Sequence, residues 1–388
     1  MNIALVTETF PPEVNGVAMT LSRLVTGMRA RGHDVEVVRP RQKIEIKEKA
    51  AGVRTPVADL LVPGMPIPFY TTLRMGLPVT GRLKARWRER RPDVVHVATE
   101  GPLGLAALRA AHLLGLPVTS SFHTNFHQYG GHYGLRLGRD LSLRYMRWFH
   151  NRTRCTMVPA SDLKEQLAAD GFERLTVLAR GVDGKLFSPA KRSEELRTTW
   201  GVRAEDPVVI YVGRIAAEKN LSLTVAAFLA IQEMEPRAKF VLVGDGPERE
   251  PLAKRYPQFH YAGMQRGEAL AAHYASADAF VFPSVTETFG NVVTEALASG
   301  LVVLAYDYAA TREHVRSGEN GLSVKFDDHE AFLSAARDIM VKKEEWPAIR
   351  MAARRTAEGI TWASIFDKFE AELRRAAGAD CNLLQRVL

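Results

Sequence analysis

The chain has 388 residues, 46% hydrophobic and 25% charged, a balance that excludes a disordered or membrane-embedded protein and leaves room for about two or three globular domains. It carries 52 Lys and Arg against 44 Asp and Glu, and its two cysteines, Cys155 and Cys381, lie far apart without CxxC or Cys/His spacing, which excludes a disulfide framework and a cysteine-based zinc site. The most apolar stretch, LGLAALRAAHLLGLPV, is broken by Arg109 and His112 before it reaches bilayer-spanning length, and MNIALVTETFPP lacks the basic start and apolar core of a signal peptide, so the expected location is the cytoplasm.

Along the chain, NIALVTE reads as a strand, TFPPEVNG as a loop, and Val17, Leu21, Leu24, Val25 and Met28 as one face of a helix closed by Gly32. DVEVV is the next strand, which makes a βαβ unit, and DVVHVA, PVTSSF, TMVPA and LTVLA continue a parallel sheet with helical segments between. GVDGKLFSPAKRSEELRTTWGVRAEDP interrupts the rhythm with Gly, Pro and charge. It places a domain boundary at residues 188/189, with a first domain over 1–188 and a second over 189–360. The alternation then restarts with VVIYVG, NLSLTVAAFLAIQEM, KFVLVG, EREPLAKRY, FHYAG, EALAAHYASA, AFVFP, a helix through Glu295, and LVVLAY. The expected fold class is α/β, two Rossmann-like doubly wound domains facing a central cleft, since such sheets bind ligands outside the carboxyl ends of their strands.

Charge is unevenly spread. Residues 1–190 hold 27 Lys and Arg against 16 Asp and Glu, and the remainder 25 against 28. A basic first half suits an anionic partner, a lipid surface or a phosphorylated substrate. Much of the excess lies in GRLKARWRERRP and RLGRDLSLRYMRWFHNRTR, which fit an interfacial helix on anionic lipid and equally an ordinary amphipathic helix with one solvated face.

Four places put polar groups where strands should end. Gly16 opens the first helix, where free N–H groups attract anions, although the loop is not GxGxxG. Arg214 and Lys219 follow a strand at an interval suited to clamping a diphosphate, or to a solvated surface pair. His123, His127 and His132 cluster after another strand without a carboxylate or Cys in ligand spacing, which argues against a metal, and His123 is best placed to face a ligand. In PSVTETFGNVVTEALASG the helix starts near Gly290, so Gly290, Asn291 and Val292 offer N–H groups. Glu287 precedes that start and Glu295 lies a turn inside it, so the two carboxylates bracket an anion site instead of facing each other as a glycosidase pair would.

SVTETFGNVVTEALASG resembles the E-x7-E motif of retaining glycosyltransferases with the GT-B fold, and ETFPPEVNGVAMTLSRL and GRIAAEKNLSL are similar to the same family's N-terminal loop and Arg/Lys stretch. The resemblance covers nearly the whole chain. It implies that Glu295 bonds the ribose of a nucleotide, Arg214 and Lys219 hold the diphosphate, and Gly290, Asn291 and Val292 add backbone donors. It further implies that Glu287 contacts sugar hydroxyls, Gly16 approaches the distal phosphate and His123 touches the transferred hexose. Residues from about 361 to 388 would return to the first domain, which in this family holds the acceptor. No DxD triplet is present, in keeping with a reaction that needs no metal or other cofactor, and front-face substitution leaves no nucleophile to name. FHTNFHQYGGHYGL and the opening loop look most like the GDP-mannose-dependent α-mannosyltransferases, with UDP-sugar-dependent glucosyl and sulfoquinovosyl lipid synthases nearby. The expected partners are therefore a nucleotide-diphosphate sugar and a lipid-linked or glycan acceptor, with peripheral contact to an anionic membrane through the basic domain.

Three rivals stand beside this reading. A GT-B nucleotide-sugar epimerase would need no acceptor, and a two-domain dehydrogenase lacks its GxGxxG. Nucleic-acid binding has charge alone in its favour and is not expected.

Overall fold

The computed structural model describes residues 1–13, 15–42, 45, 59–67, 70–123 and 136–378. They form two compact units, Met1–Ala179 together with the segment from Ile365, and Arg180–Ser364.

The first unit contains strands β1 (Asn2–Val6), β2 (Asp34–Pro40), β3 (Asp59–Val62), β4 (Gly64–Ile67), β5 (Tyr70–Gly76), β6 (Val94–Val97), β7 (Val118–Ser121), β8 (Cys155–Val158) and β9 (Leu175–Val177). Seven of them form a parallel sheet in the order β3-β2-β1-β6-β7-β8-β9, and β4 and β5 make a separate antiparallel hairpin. The winding reverses between β1 and β6, so the carboxyl ends of those two strands are this unit's switch point. Val94–Val97 is buried throughout, as a strand covered on both faces must be. The Gly16–Ala30 helix buries Leu21, Leu24, Val25 and Met28, the stripe legible in the sequence. The core also contains a polar layer. His96 bonds Thr119 Oγ1 at 2.9 Å and Ser121 Oγ at 3.0 Å, and His150 bonds Ser120 Oγ at 2.9 Å. Burial pushes both imidazoles down to a pKa of about 3.

The last helix, Trp362–Gly378, joins this unit from Ile365 onward. Phe366 lies where any side chain on Gly27 would collide at 2.6 Å, Phe369 meets the His96 ring edge-on at 5.0 Å, and Asp367 pairs with Arg31 at 2.7 Å. Of the two basic segments, Thr80–Glu89 buries Leu83 and Trp87 and pairs Arg86 with Glu36, the behaviour of an ordinary amphipathic helix. Arg136–His150 likewise buries one face, with Met146 and Phe149, but also exposes Leu141 and Trp148, with Arg152 stacked on the indole at 4.2 Å.

The second unit holds β10 (Val208–Val212), β11 (Lys239–Val243), β12 (His260–Gly263), β13 (Ala279–Phe282), β14 (Val302–Tyr306) and β15 (Leu322–Val324) in the order β12-β11-β10-β13-β14-β15, all parallel. Its switch point lies between β10 and β13. Gly244 permits the loops after β10 and β11 to cross, since a Cβ there would sit 1.9 Å from Gly213 O.

The units divide at 179/180, not at 188/189, and the first unit resumes at Ile365. Composition misled here because part of the charge of 180–206, that of Arg180, Arg197 and Asp206, is buried. The buried Arg197 donates to Ser276 O and Asp206 O at 2.8 Å, and Arg192, Arg197 and Arg350 converge on Asp278. The Val182 N–H joins the same unit through Ile360 O.

Candidate functional site

In the second unit the groups singled out in the sequence gather at the β10/β13 switch point. β10 runs into Gly213 and Arg214, a single 3₁₀ turn spans Ala217–Lys219, and Asn220 takes the left-handed conformation (φ +53°) before the Leu221–Met234 helix. This turn aims Lys219 across to the loop after β13. Its Nζ donates to Glu287 Oε1 at 2.6 Å and to Thr286 O at 3.2 Å. Arg214 is not drawn in the same way. Its side chain is 61% exposed and pairs with Glu218 at 3.1 Å.

Glu287 is fixed from several directions. Ser284 Oγ donates to Oε1 at 3.0 Å, and the Glu287 N–H donates to Tyr308 Oη at 2.9 Å. The hydrogen bonds that the described residues make to the carboxylate fall on Oε1, which leaves Oε2 as the acceptor for a ligand hydroxyl. Gly290 has φ +87°, a conformation that L side chains rarely adopt, so glycine serves the turn, and a Cβ there would meet Glu287 Cγ only in ordinary contact at 3.5 Å.

The following helix is Asn291–Ala298, and no side chain of its cap residue, Gly290, satisfies its first N–H groups. Asn291 and Val292 stand in its first turn. Glu295 lies one turn in, partly buried, where Tyr274 Oη donates to its Oε2 at 3.1 Å. Burial, and then the Glu295 charge, raise the Tyr274 phenol well above its ordinary pKa, so it is a donor at all working pH values.

In the first unit, Gly16 opens its helix behind Asn15, whose side chain caps Ala18 N at 2.9 Å and donates to Thr9 Oγ1 at 2.8 Å. His123 follows β7 and is half-buried, whereas His127 and His132 lie outside the described residues. Among the described residues no group of three or more His, Cys, Asp or Glu gathers as a metal site would, and no helix is long and apolar enough to cross a membrane.

Three groups escaped the sequence reading. Glu8, after β1, accepts from Leu103 N at 2.9 Å and from Gly76 N, and its N–H donates to Thr99 Oγ1 at 2.8 Å across the switch point. Burial raises its pKa to about 7 against these N–H groups, which lower it. Tyr274 and Arg180 are the others. None of the three has a local signal, because each acts on a partner between about 20 and 110 positions away, as Arg180 does on Asn291.

The comparisons with known proteins agree with this geometry. Residues 14–185 match the model of Glycosyltransferase Family 4, and residues 206–341 that of Glycosyl transferases group 1. A GDP-mannose-dependent alpha-mannosyltransferase of Mycolicibacterium smegmatis is 35% identical, over 97% of this chain and 98% of that protein. An alpha-monoglucosyldiacylglycerol synthase of Acholeplasma laidlawii is 28% identical over 83% and 84%. The solved sucrose-phosphate synthase of Thermosynechococcus elongatus shares the fold, with a TM-score of 0.76 at 20% identity over 98% of this chain and 100% of that one. A switch-point helix with an open N-terminus, flanked by Glu287 and Glu295, thus stands in a chain that belongs to glycosyltransferase family 4, an enzyme with the GT-B fold.

Proposed function

We propose that the enzyme transfers an α-mannosyl unit from GDP-mannose to a lipid-linked or glycan acceptor, with retention and without a metal. The observation that carries the reading is the uncapped N-terminus of Asn291–Ala298 beside Lys219 and Glu287. The departing nucleoside diphosphate gains negative charge in the transition state, and fixed cations and N–H groups placed where that charge develops lower the barrier most. Lys219, Arg214 and the N–H groups from Gly290 to Val292 take that role. Glu287 Oε2 accepts a hydroxyl of the transferred sugar, and Glu295, held by Tyr274, accepts those of the ribose. Gly16 and His123 approach the distal phosphate and the hexose. The acceptor oxygen bonds the anomeric carbon on the face the phosphate leaves, and its proton passes to that departing phosphate.

GDP-mannose is favoured by the M. smegmatis relative, and a lipid acceptor by the A. laidlawii relative and by the exposed Leu141 and Trp148 on a basic helix. The test is a thermal-shift panel of GDP-mannose, GDP, UDP-glucose, UDP-sulfoquinovose and UDP. A ligand at about 100 times its Kd adds roughly 2.7 kcal/mol of stability. Stabilisation by the guanosine compounds, and turnover that survives EDTA with an α-linked product, is the expected result. A response to UDP compounds alone would reassign the donor, and activity lost in EDTA and restored by Mn²⁺ would overturn the metal-free reaction.

A further inference from the structure

Three arginines are buried among the described residues, and two of them are held in networks of carboxylates or backbone carbonyls. Arg39 holds both oxygens of Glu45 at 2.6 and 2.9 Å and Asp59 at 3.0 Å. Arg197 donates to three backbone carbonyls within 3.0 Å and pairs with Asp278 at 3.3 Å. Arg180 is only 7% exposed, yet among the described residues its guanidinium makes one long hydrogen bond, Nη1 to Asn291 Oδ1 at 3.4 Å, and lies 5.9 Å from the centre of the Phe289 ring. No carboxylate of the described residues comes within ion-pair distance of it. The Glu287 charge acts on it from farther away, and that carboxylate is already engaged by Lys219 at 2.6 Å. Most of its five donors have no partner among the described residues and stay open to an arriving anion. Its neighbours Phe289 and Asn291 flank Gly290, at the helix N-terminus that its cap residue leaves open.

We propose that Arg180 supplies the missing counter-charge to the donor: its guanidinium donates to oxygens of the distal phosphate, the one that leaves with the nucleotide. The inference rests on the donor-site reading above. It also explains why Arg180 tolerates burial with a pKa pulled down to about 10, chiefly by desolvation, since the phosphate restores what burial removes.

The test is calorimetric titration of the full chain with a nucleoside diphosphate and the matching monophosphate, GDP and GMP or UDP and UMP, whichever the wild type binds. Loss of charge-assisted hydrogen bonds predicts that R180Q weakens the diphosphate roughly 10- to 100-fold and the monophosphate by less than about 3-fold. R180K, which keeps the charge and loses the fork, should fall between. Equal weakening of both nucleotides in R180Q would assign Arg180 to holding the loop and overturn the proposal. If R180Q does not fold, an unchanged diphosphate preference in R180K overturns it equally. Wild type that binds no nucleotide removes the donor-site reading and this one with it, whereas wild-type binding with an unchanged ratio in R180Q removes this one alone.

Discussion

Lys219 and Glu287 form the shortest ion pair of the candidate site, 2.6 Å between Nζ and Oε1, with 15% and 17% of the two side chains exposed. Exposed pairs contribute about 0–1 kcal/mol, but charge-assisted hydrogen bonds shielded from water contribute about 1.5–3 kcal/mol. Both groups also face the position assigned to the donor, so removing either one exposes the other to the loss. K219M leaves Glu287 with Ser284 as a hydrogen-bond partner and removes a cation from the leaving group. E287Q keeps the shape but releases Lys219. Each single substitution should lower kcat/KM by about 10²–10³-fold, the usual consequence of removing one preorganised charge from such a site. The double variant should be little worse than the poorer single one, with a coupling energy of about 1–3 kcal/mol from the kinetic cycle. The assay is nucleotide release at saturating acceptor for all four proteins, with unfolding midpoints to show that each is folded. A coupling below about 0.5 kcal/mol would mean that the pair does not act as a unit, and the assignment of Glu287 to the sugar through a Lys219-anchored carboxylate would be wrong.

Three further outcomes are expected. Tyr274→Phe removes the donor that orients Glu295, so KM for the nucleotide sugar should rise about 5- to 10-fold with kcat nearly unchanged; a fall in kcat alone would place Glu295 elsewhere in the reaction. His96 and His150 are neutral in the fold, with pKa values near 3 against 6.5 when unfolded. The stability this gives is full above pH 6.5 and declines as pH falls toward 3, by up to about 1.4 kcal/mol per pH unit for each imidazole, so denaturant midpoints should drop between pH 6.5 and 5 and drop less in His150→Leu. Arg197→Met takes one of three arginines from Asp278 and leaves the carbonyls of Ser276 and Asp206 without their donor, and should remove about 1–3 kcal/mol, read as a lowered unfolding midpoint; a loss below about 0.5 kcal/mol would mean Arg192 and Arg350 suffice to hold that carboxylate.

The βαβ rhythm was legible because parallel strands buried on both faces must be apolar throughout, and strands such as Val94–Val97 and Ala279–Phe282 are buried at each position. The start of the Asn291–Ala298 helix was legible for a different reason, since Gly290 and Gly300 need positive φ at its two ends and few other residues accept it. The boundary between the units was not. Gly, Pro and charge signal solvent exposure on average, and within 180–206 Arg192 and Arg197 are spent on a network around Asp278 that no local pattern records. Arg214 and Lys219 look equivalent in the sequence, five positions apart, yet the single turn between them sends one into a pair with Glu287 and leaves the other at the surface with Glu218. Spacing fixes which strand end a residue belongs to. Which neighbour it finds there depends on loops from distant parts of the chain.

The two units apply one topology to different ends. Each sheet reverses its winding at one point, and at that point two helices begin, one after each central strand. In the first unit the protein fills both helix starts with its own side chains. Asn15 caps the Gly16–Ala30 helix, and the Glu8 carboxylate sits on Leu103 N at the start of Pro102–Leu113, where Gly101 leaves it room. In the second unit neither Asn220 nor Gly290 supplies a side-chain cap to the corresponding helix. An anion-accepting helix start that already holds a carboxylate is a poor place for a phosphate, and an uncapped one beside Lys219 and Arg180 is a good one. On the function proposed, the diphosphate therefore goes to the second unit. In the Gly16–Ala30 helix the Ala18 N–H is already spent on Asn15.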